Sequence, residues 1–162
     1  MSSMTCRTLR SDEEITGAFP LMSELRDRID AATFLVEVRR QELQGYELVG
    51  AFDGHRLVAL AGVRRSHTLS RGEHLFVDDL VTAKAVQAKG YGTVLLRWLA
   101  DRARSEGIRR VYLDSRATAR GFYEKLGFVF LTSTPCWIDV SQLTDDTTAA
   151  PRGGSPDGDA CK

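Results

Sequence analysis

Between a strand-like run and a helix-like run lies Gln87-Ala88-Lys89-Gly90-Tyr91-Gly92, an arrangement suited to holding a phosphate. Unpaired main-chain N–H groups at a helix start and the positive end of the helix dipole make an anion site, and glycines let the anion approach the backbone closely. Gly90 and Gly92 stand where that approach is needed, with Lys89 and Thr93 beside them. The same stretch disfavours two common nucleotide folds. A Walker loop needs Gly-Lys followed by Ser or Thr at the helix start, and a dinucleotide fingerprint needs Gly where Leu95 stands. Just upstream, Asp78 and Asp79 are neighbouring carboxylates in a strand-like run. The two-residue period of a strand sends them to opposite faces, so only one of them can face a substrate. His67 and His74 carry near-neutral imidazoles but read as ordinary strand or loop residues, and Glu73 is a weaker candidate than either aspartate. Cys136 has no identifiable base partner and reads as a packing residue.

These residues need elements to position them. Thr5 to Arg10 alternates as a short strand, and Ser11 followed by Asp12-Glu13-Glu14 supplies an N-cap and an acidic first turn. The helix that follows carries Ile15, Ala18, Phe19, Met22 and Leu25 on one stripe, with Pro20 allowing a kink or a division into two short helices. A second helix runs from about Thr33 with Phe34, Leu35, Val38 and Leu43 on or near one face, and stops at Gly45. Tyr46 to Phe52 and Leu57 to Val63 form a hairpin across Asp53-Gly54, and Glu73 to Thr82 is the next strand. Tyr91 to Glu106 is an amphipathic helix with Val94, Leu95, Trp98, Leu99 and Ala103 inward. Arg109 to Asp114 is then a strand, Ala117 to Leu126 a short helix, and Phe128 to Leu131 with Trp137 to Val140 a last pair of strands. The order implies an α/β domain with a mixed sheet in layers.

The loop resembles the acyl-CoA loop of the GNAT acetyltransferases, whose pattern is Gln or Arg, two residues, Gly, one residue, then Gly or Ala. Phe122-Tyr123-Glu124-Lys125-Leu126-Gly127-Phe128 is similar to the late helix and following strand of the same family, with a tyrosine close to the CoA sulfur. The two motifs cover roughly Glu73 to Phe130 closely, whereas the first seventy residues match only in element order. The resemblance implies a central mixed sheet flanked by helices, and an N-acetyltransferase that moves the acetyl group of acetyl-CoA to a primary amine by direct attack. The acceptor would be a small molecule, a peptide N-terminus or a lysine. Much of its site would come from the N-terminal helices and the Tyr46 to His67 hairpin.

By the same resemblance, Leu80, Val81 and Thr82 offer main-chain groups to the pantetheine arm, and an N–H near Val81 polarises the thioester. Gln87, Ala88, Lys89, Gly90, Tyr91, Gly92 and Thr93 surround the pyrophosphate, and Arg116 and Ala119 complete the contacts. Two positions depart from the family pattern: Ala88 replaces a common glycine, and Arg116 stands where many relatives carry an Asn that touches CoA. By the same resemblance Tyr123, a phenol of ordinary pKa about 10, is the candidate acid that protonates the leaving thiolate. Asp78 or Asp79 is the candidate acceptor of the amine's proton, directly or through water. A competing reading is a non-catalytic acyl-CoA-binding regulatory module that retains the loop.

Composition narrows the partners. In 162 residues, 22 Lys and Arg offset 22 Asp and Glu, which argues against a nucleic-acid or anionic-membrane partner. Cys6, Cys136 and Cys161 are few and odd in number, and no Cys or His spacing suggests a metal, so reduced thiols in a cytoplasm are expected. No apolar run approaches the roughly 20 residues that span a bilayer. Residues 1–143 are expected to form one domain and 144–162 a disordered C-terminal tail. The last strands are of the kind that makes homodimers in this family, and a monomer is equally compatible with the composition.

Overall fold

Capping chemistry sets the first helix. In the computed structural model, which describes residues 4–142, strand β1 (Met4–Thr8) leads into helix α1 (Asp12–Ser23). Ser11 accepts from the Glu14 N–H at 3.1 Å, while the Glu14 carboxylate accepts from the Ser11 N–H at 3.2 Å and the Arg10 N–H at 2.8 Å. This reciprocal box satisfies donors that the first helical turn leaves unpaired. Those N–H groups, with the Arg7 guanidinium beside them, hold the Glu14 pKa down at about 2. A depressed carboxylate stabilises the fold above its unfolded pKa, and that stabilisation fades as pH falls through the folded value. Melting curves from pH 6 toward about pH 2 are therefore expected to fall less steeply for Glu14→Gln than for the parent; parallel curves would show that the box carries no charge-dependent stability.

Helix α1 runs through Pro20 without dividing, and it buries Ile15, Ala18, Leu21 and Met22. Helix α2 (Ala31–Glu42) is capped by Asp30, whose carboxylate accepts from the Thr33 N–H at 2.8 Å. It buries Phe34 and Val38, but Leu43 lies past its last turn and is 89% exposed, so the expected apolar face ends one turn early.

Strands β2 (Tyr46–Asp53), β3 (Arg56–Thr68) and β4 (Gly72–Thr82) continue the sheet from β1 as antiparallel neighbours, and β5 (Val111–Leu113) joins β4 in parallel. Gly54 takes the positive φ of +60° that the hairpin turn requires. The mixed α/β sheet expected from the sequence is thus present, in the order β1-β2-β3-β4-β5. One face packs Leu48, Leu60 and Val81 against α1 and α2. The other packs Val49, Ala61, Val63, Leu75 and Val77 against helix α3 (Tyr91–Ser105) through Leu95, Leu99 and Ala103. Of the residues expected inward on α3, Val94 is exposed instead; Leu96 is buried and Trp98 partly so.

The chain separates into two compact units, Met1–Ser115 and Arg116–Lys162. The described part of the second contains a short 3-10 turn (Ala117–Ala119), helix α4 (Arg120–Lys125) and a second 3-10 turn (Val140–Gln142). The expected last pair of strands does not form. Pro135 lacks a ladder donor, and the Asp139 carboxylate accepts from the Ser141 N–H at 2.9 Å, turning the chain where the second strand was expected to end. Val129, Leu131, Trp137 and Val140 are correspondingly exposed, and so is Cys136, which overturns its expected packing role. The tail from Thr144 and Cys161 lie outside the described residues. No described helix is long and apolar enough to cross a membrane.

Candidate active site

The two aspartates depart most from expectation. Gly62 of β3 opposes Asp79 and Val63 opposes Val77, so Asp78 is an extra residue on β4, a β-bulge. A bulge reverses the alternation: Leu75 and Val77 face α3, but Val81 beyond the bulge faces α1 and α2 while Leu80 packs on the α3 side. Asp78 and Asp79 therefore share one face instead of taking opposite faces, and both line a cleft of about 230 Å³.

Arginines brought from distant segments balance the pair. Arg26, after α1, donates from Nε to Asp79 Oδ1 at 2.7 Å and from Nη2 to the Asp78 carbonyl at 2.9 Å. Tyr46 of β2 donates its hydroxyl to Asp79 Oδ2 at 2.8 Å, so both oxygens of Asp79 are engaged. Arg64 of β3 donates from Nε to Asp78 Oδ2 at 2.6 Å, and from Nη2 to Gln41 Oε1 at 3.3 Å. Asp78 Oδ1 has no hydrogen bond among the described residues. Burial raises the Asp78 pKa against the opposing pull of Arg64, and burial with the Asp79 charge pushes the Tyr46 phenol well up, so Tyr46 stays protonated as a donor.

Arg26, Tyr46 and Arg64 were not singled out as site residues in the sequence. Nothing local marks them, although two adjacent carboxylates in a strand with buried neighbours call for cationic partners. The helices and hairpin expected to shape an acceptor site do supply the other walls of this cleft. Glu73 lies outside it, paired with Arg65 at 2.9 Å. His74 is buried with its Nδ1 2.8 Å from the Gly72 carbonyl and its ring edge-on to Tyr112, a packing role.

Immediately past the bulge, β4 opens on one side. Its ladder with β5 ends at Val77, so among the described residues Leu80, Val81 and Thr82 pair with β3 alone and keep a second main-chain edge. The chain then passes through a 3-10 turn (Lys84–Val86) into an exposed loop, Gln87 to Gly90. Gly90, at φ +81°, is the N-cap of α3 and provides no side-chain cap. A β-carbon built on it would meet no heavy atom within 4 Å, so the space before the first turn of α3 is open to a ligand. Tyr91 Oη donates to Asp53 Oδ2 at 2.7 Å, tying the helix start to the β2–β3 turn. Gly92 is buried and Thr93 half-buried.

Ala88 sits at φ +69°, the one described non-glycine residue with positive φ. That conformation strains an L-residue by roughly 1–2 kcal/mol. Ala88→Gly relieves the strain but gains freedom when unfolded, and the net expectation is a Tm higher by ~2 °C. An unchanged or lower Tm would mean that the loop relaxes in the parent.

In the second unit Tyr123 is buried between Phe122 and Phe128, with ring centroids at 5.0 and 5.3 Å, and burial raises its phenol pKa. Arg116 caps the 3-10 turn that contains Ala119.

Comparisons with known proteins bear on the family and the fold. Residues 10–128 match the Acetyltransferase (GNAT) family. A protein of Bacillus subtilis (strain 168) described as an uncharacterized N-acetyltransferase, YhdJ, is 36% identical over 127 residues, 75% of this chain and 89% of its own length. The crystal structure of a Trypanosoma brucei acetyltransferase superposes with a TM-score of 0.69 over 85% of this chain and 99% of that one, at 22% identity. A predicted acetyltransferase from Clostridium acetobutylicum, crystallised with acetyl-CoA, gives 0.63 over 86% and 98% at 15% identity. At those identities the two structures speak to the fold.

Proposed function

The chain belongs to the GNAT acetyltransferase family, and from that premise we propose that it transfers the acetyl group of acetyl-CoA to a primary amine bound in the Asp78–Asp79 cleft. What carries this reading is one continuous run on β4: a carboxylate pair, then an open strand edge, then a loop ending at the glycine-capped start of α3. Residues 1–143 act as one catalytic domain in this reading, supported by a family match that extends into both compact units.

The roles follow from what each group has to spare. Phosphate oxygens accept from the α3 first-turn N–H groups, with Lys89, Thr93 and Gln87 alongside. The free edge at Leu80, Val81 and Thr82 holds the pantetheine amides, and a main-chain N–H near Val81 polarises the thioester carbonyl. An amine must lose its ammonium proton before it can attack. Asp78, with a free oxygen and a raised pKa, is the better acceptor; Asp79 is fully engaged by Arg26 and Tyr46 and positions the cleft. The neutral amine nitrogen then bonds to the carbonyl carbon and the C–S bond breaks; the leaving thiolate takes a proton from Tyr123, whose phenol burial keeps protonated, and the proton shed by the new amide nitrogen restores that phenol.

Calorimetric titration with acetyl-CoA, followed by thiol release across an amine panel, tests the proposal. Saturable binding with turnover is expected, with kcat reduced on the order of 10²-fold in both Asp78→Asn and Tyr123→Phe. Binding without transfer to any amine would instead favour a non-catalytic acyl-CoA module, and no binding would overturn the assignment.

A further inference from the structure

We propose that the acceptor is a small zwitterion, an amine that carries its own carboxylate or phosphate close to the nitrogen, with Arg64 holding that anion. The inference rests on the transferase reading above and narrows its substrate class.

The first observation is charge balance. The cleft presents two aspartates and two arginines, Arg26 and Arg64, so it has no acidic excess with which to attract a polycation. The second is which atoms are already engaged. Asp79 has both oxygens taken and Arg26 spans Asp79 and the Asp78 carbonyl, so these two hold each other. In the other pair, Asp78 Oδ1 has no partner among the described residues, and neither has Arg64 Nη1. The remaining bond on that side of Arg64, from Nη2 to Gln41, is long at 3.3 Å and readily exchanged.

One unfilled acceptor and one unfilled donor edge therefore lie on two side chains joined by a 2.6 Å ion pair. An ammonium donating to Asp78 Oδ1 places any anion on a neighbouring carbon within reach of the Arg64 edge, whose planar fork suits carboxylate and phosphate alike. Proximity of the two groups matters as much as their presence, since a long diamine or an extended peptide would meet Asp78 and leave Arg64 unanswered. The cleft volume of about 230 Å³ also favours a small molecule, and Met22 and Ile29 give it an apolar wall for the substrate's carbon skeleton.

The test compares matched acceptors in a thiol-release assay on the full chain. Each amino acid is paired with its amide, and each aminoalkyl phosphate with its aminoalkyl alcohol, so that only the anion differs. We expect kcat/KM to be at least about tenfold higher for the anionic member of one series, and the series that responds identifies carboxylate or phosphate. In Arg64→Gln that ratio should collapse toward unity through a higher KM for the anionic member, while the neutral members lose much less. Preference for amides, alcohols or polyamines overturns the zwitterion, and an anion preference that survives Arg64→Gln overturns Arg64 as the group that holds the anion; both leave the transferase reading intact. Turnover of no amine at all overturns both.

Discussion

Gly62→Ala is expected to destabilise the fold by roughly 2–4 kcal/mol and to dismantle the cleft in the same step. A β-carbon at this position would lie 1.9 Å from the Tyr46 hydroxyl oxygen, 2.4 Å from Tyr46 Cζ and 2.5 Å from Asp79 Oδ2. None of these can yield cheaply. The Tyr46 ring is 3% exposed and packed with Leu48 and Leu60, and its hydroxyl is the donor that engages the second oxygen of Asp79. Moving the ring leaves a buried phenol and a half-buried carboxylate without each other, a penalty added to the overpacking itself. Urea denaturation of Gly62→Ala, Tyr46→Ala and the double variant measures this directly. The cost of the alanine at 62 should largely vanish once Tyr46 is truncated, so the coupling should be about as large as the single penalty. Additive costs would show that the β3 backbone, and not the ring, absorbs the new methyl. Acetyl transfer should fall further than stability alone explains, because Asp79 opposes Gly62 across the bulge.

That bulge also marks where sequence reading stopped. The helix caps were legible because each depends on residues within one turn: Ser11 and Glu14 are three positions apart, as are Asp30 and Thr33. The loop before α3 was legible for the same reason, since a left-handed glycine at a helix start is a local demand. The placement of Asp78 was not, because a bulge belongs to a pair of strands and its partner register lies on β3. Strict alternation therefore put the two aspartates on opposite faces, although two acids in succession on a strand with buried neighbours already broke the apolar pattern.

The charge balance of the cleft was hidden more deeply. Arg26 is 52 residues from Asp78 and Arg64 is 14 residues away, and only the folded sheet sets them together. The end of the chain failed differently. Phe128 to Leu131 and Trp137 to Val140 are apolar enough for strands, but composition does not supply a ladder partner, and Asp139 offers the backbone a turn instead.

Gly90→Trp is expected to weaken acetyl-CoA binding by about 100-fold or more, the equivalent of losing two charge-assisted hydrogen bonds to phosphate. The argument separates into two effects that the structure lets one distinguish. Gly90 is held at φ +81°, so any L-residue there is strained by roughly 1–2 kcal/mol whatever its size. Yet a β-carbon would meet nothing within 4 Å, so a large side chain has room to grow into the space before α3, where a phosphate must come to reach the first-turn N–H groups. Strain is common to Gly90→Ala and Gly90→Trp; obstruction belongs to the second alone. The two variants should therefore lose similar amounts of Tm while their Kd values for acetyl-CoA diverge, with Gly90→Ala staying within about tenfold of the parent. Gly90→Asn, which tolerates the left-handed region, should recover part of the Tm in the same comparison. If Gly90→Trp melts like Gly90→Ala and binds acetyl-CoA as the parent does, the start of α3 is not the phosphate site, and the open β4 edge alone would have to account for any binding.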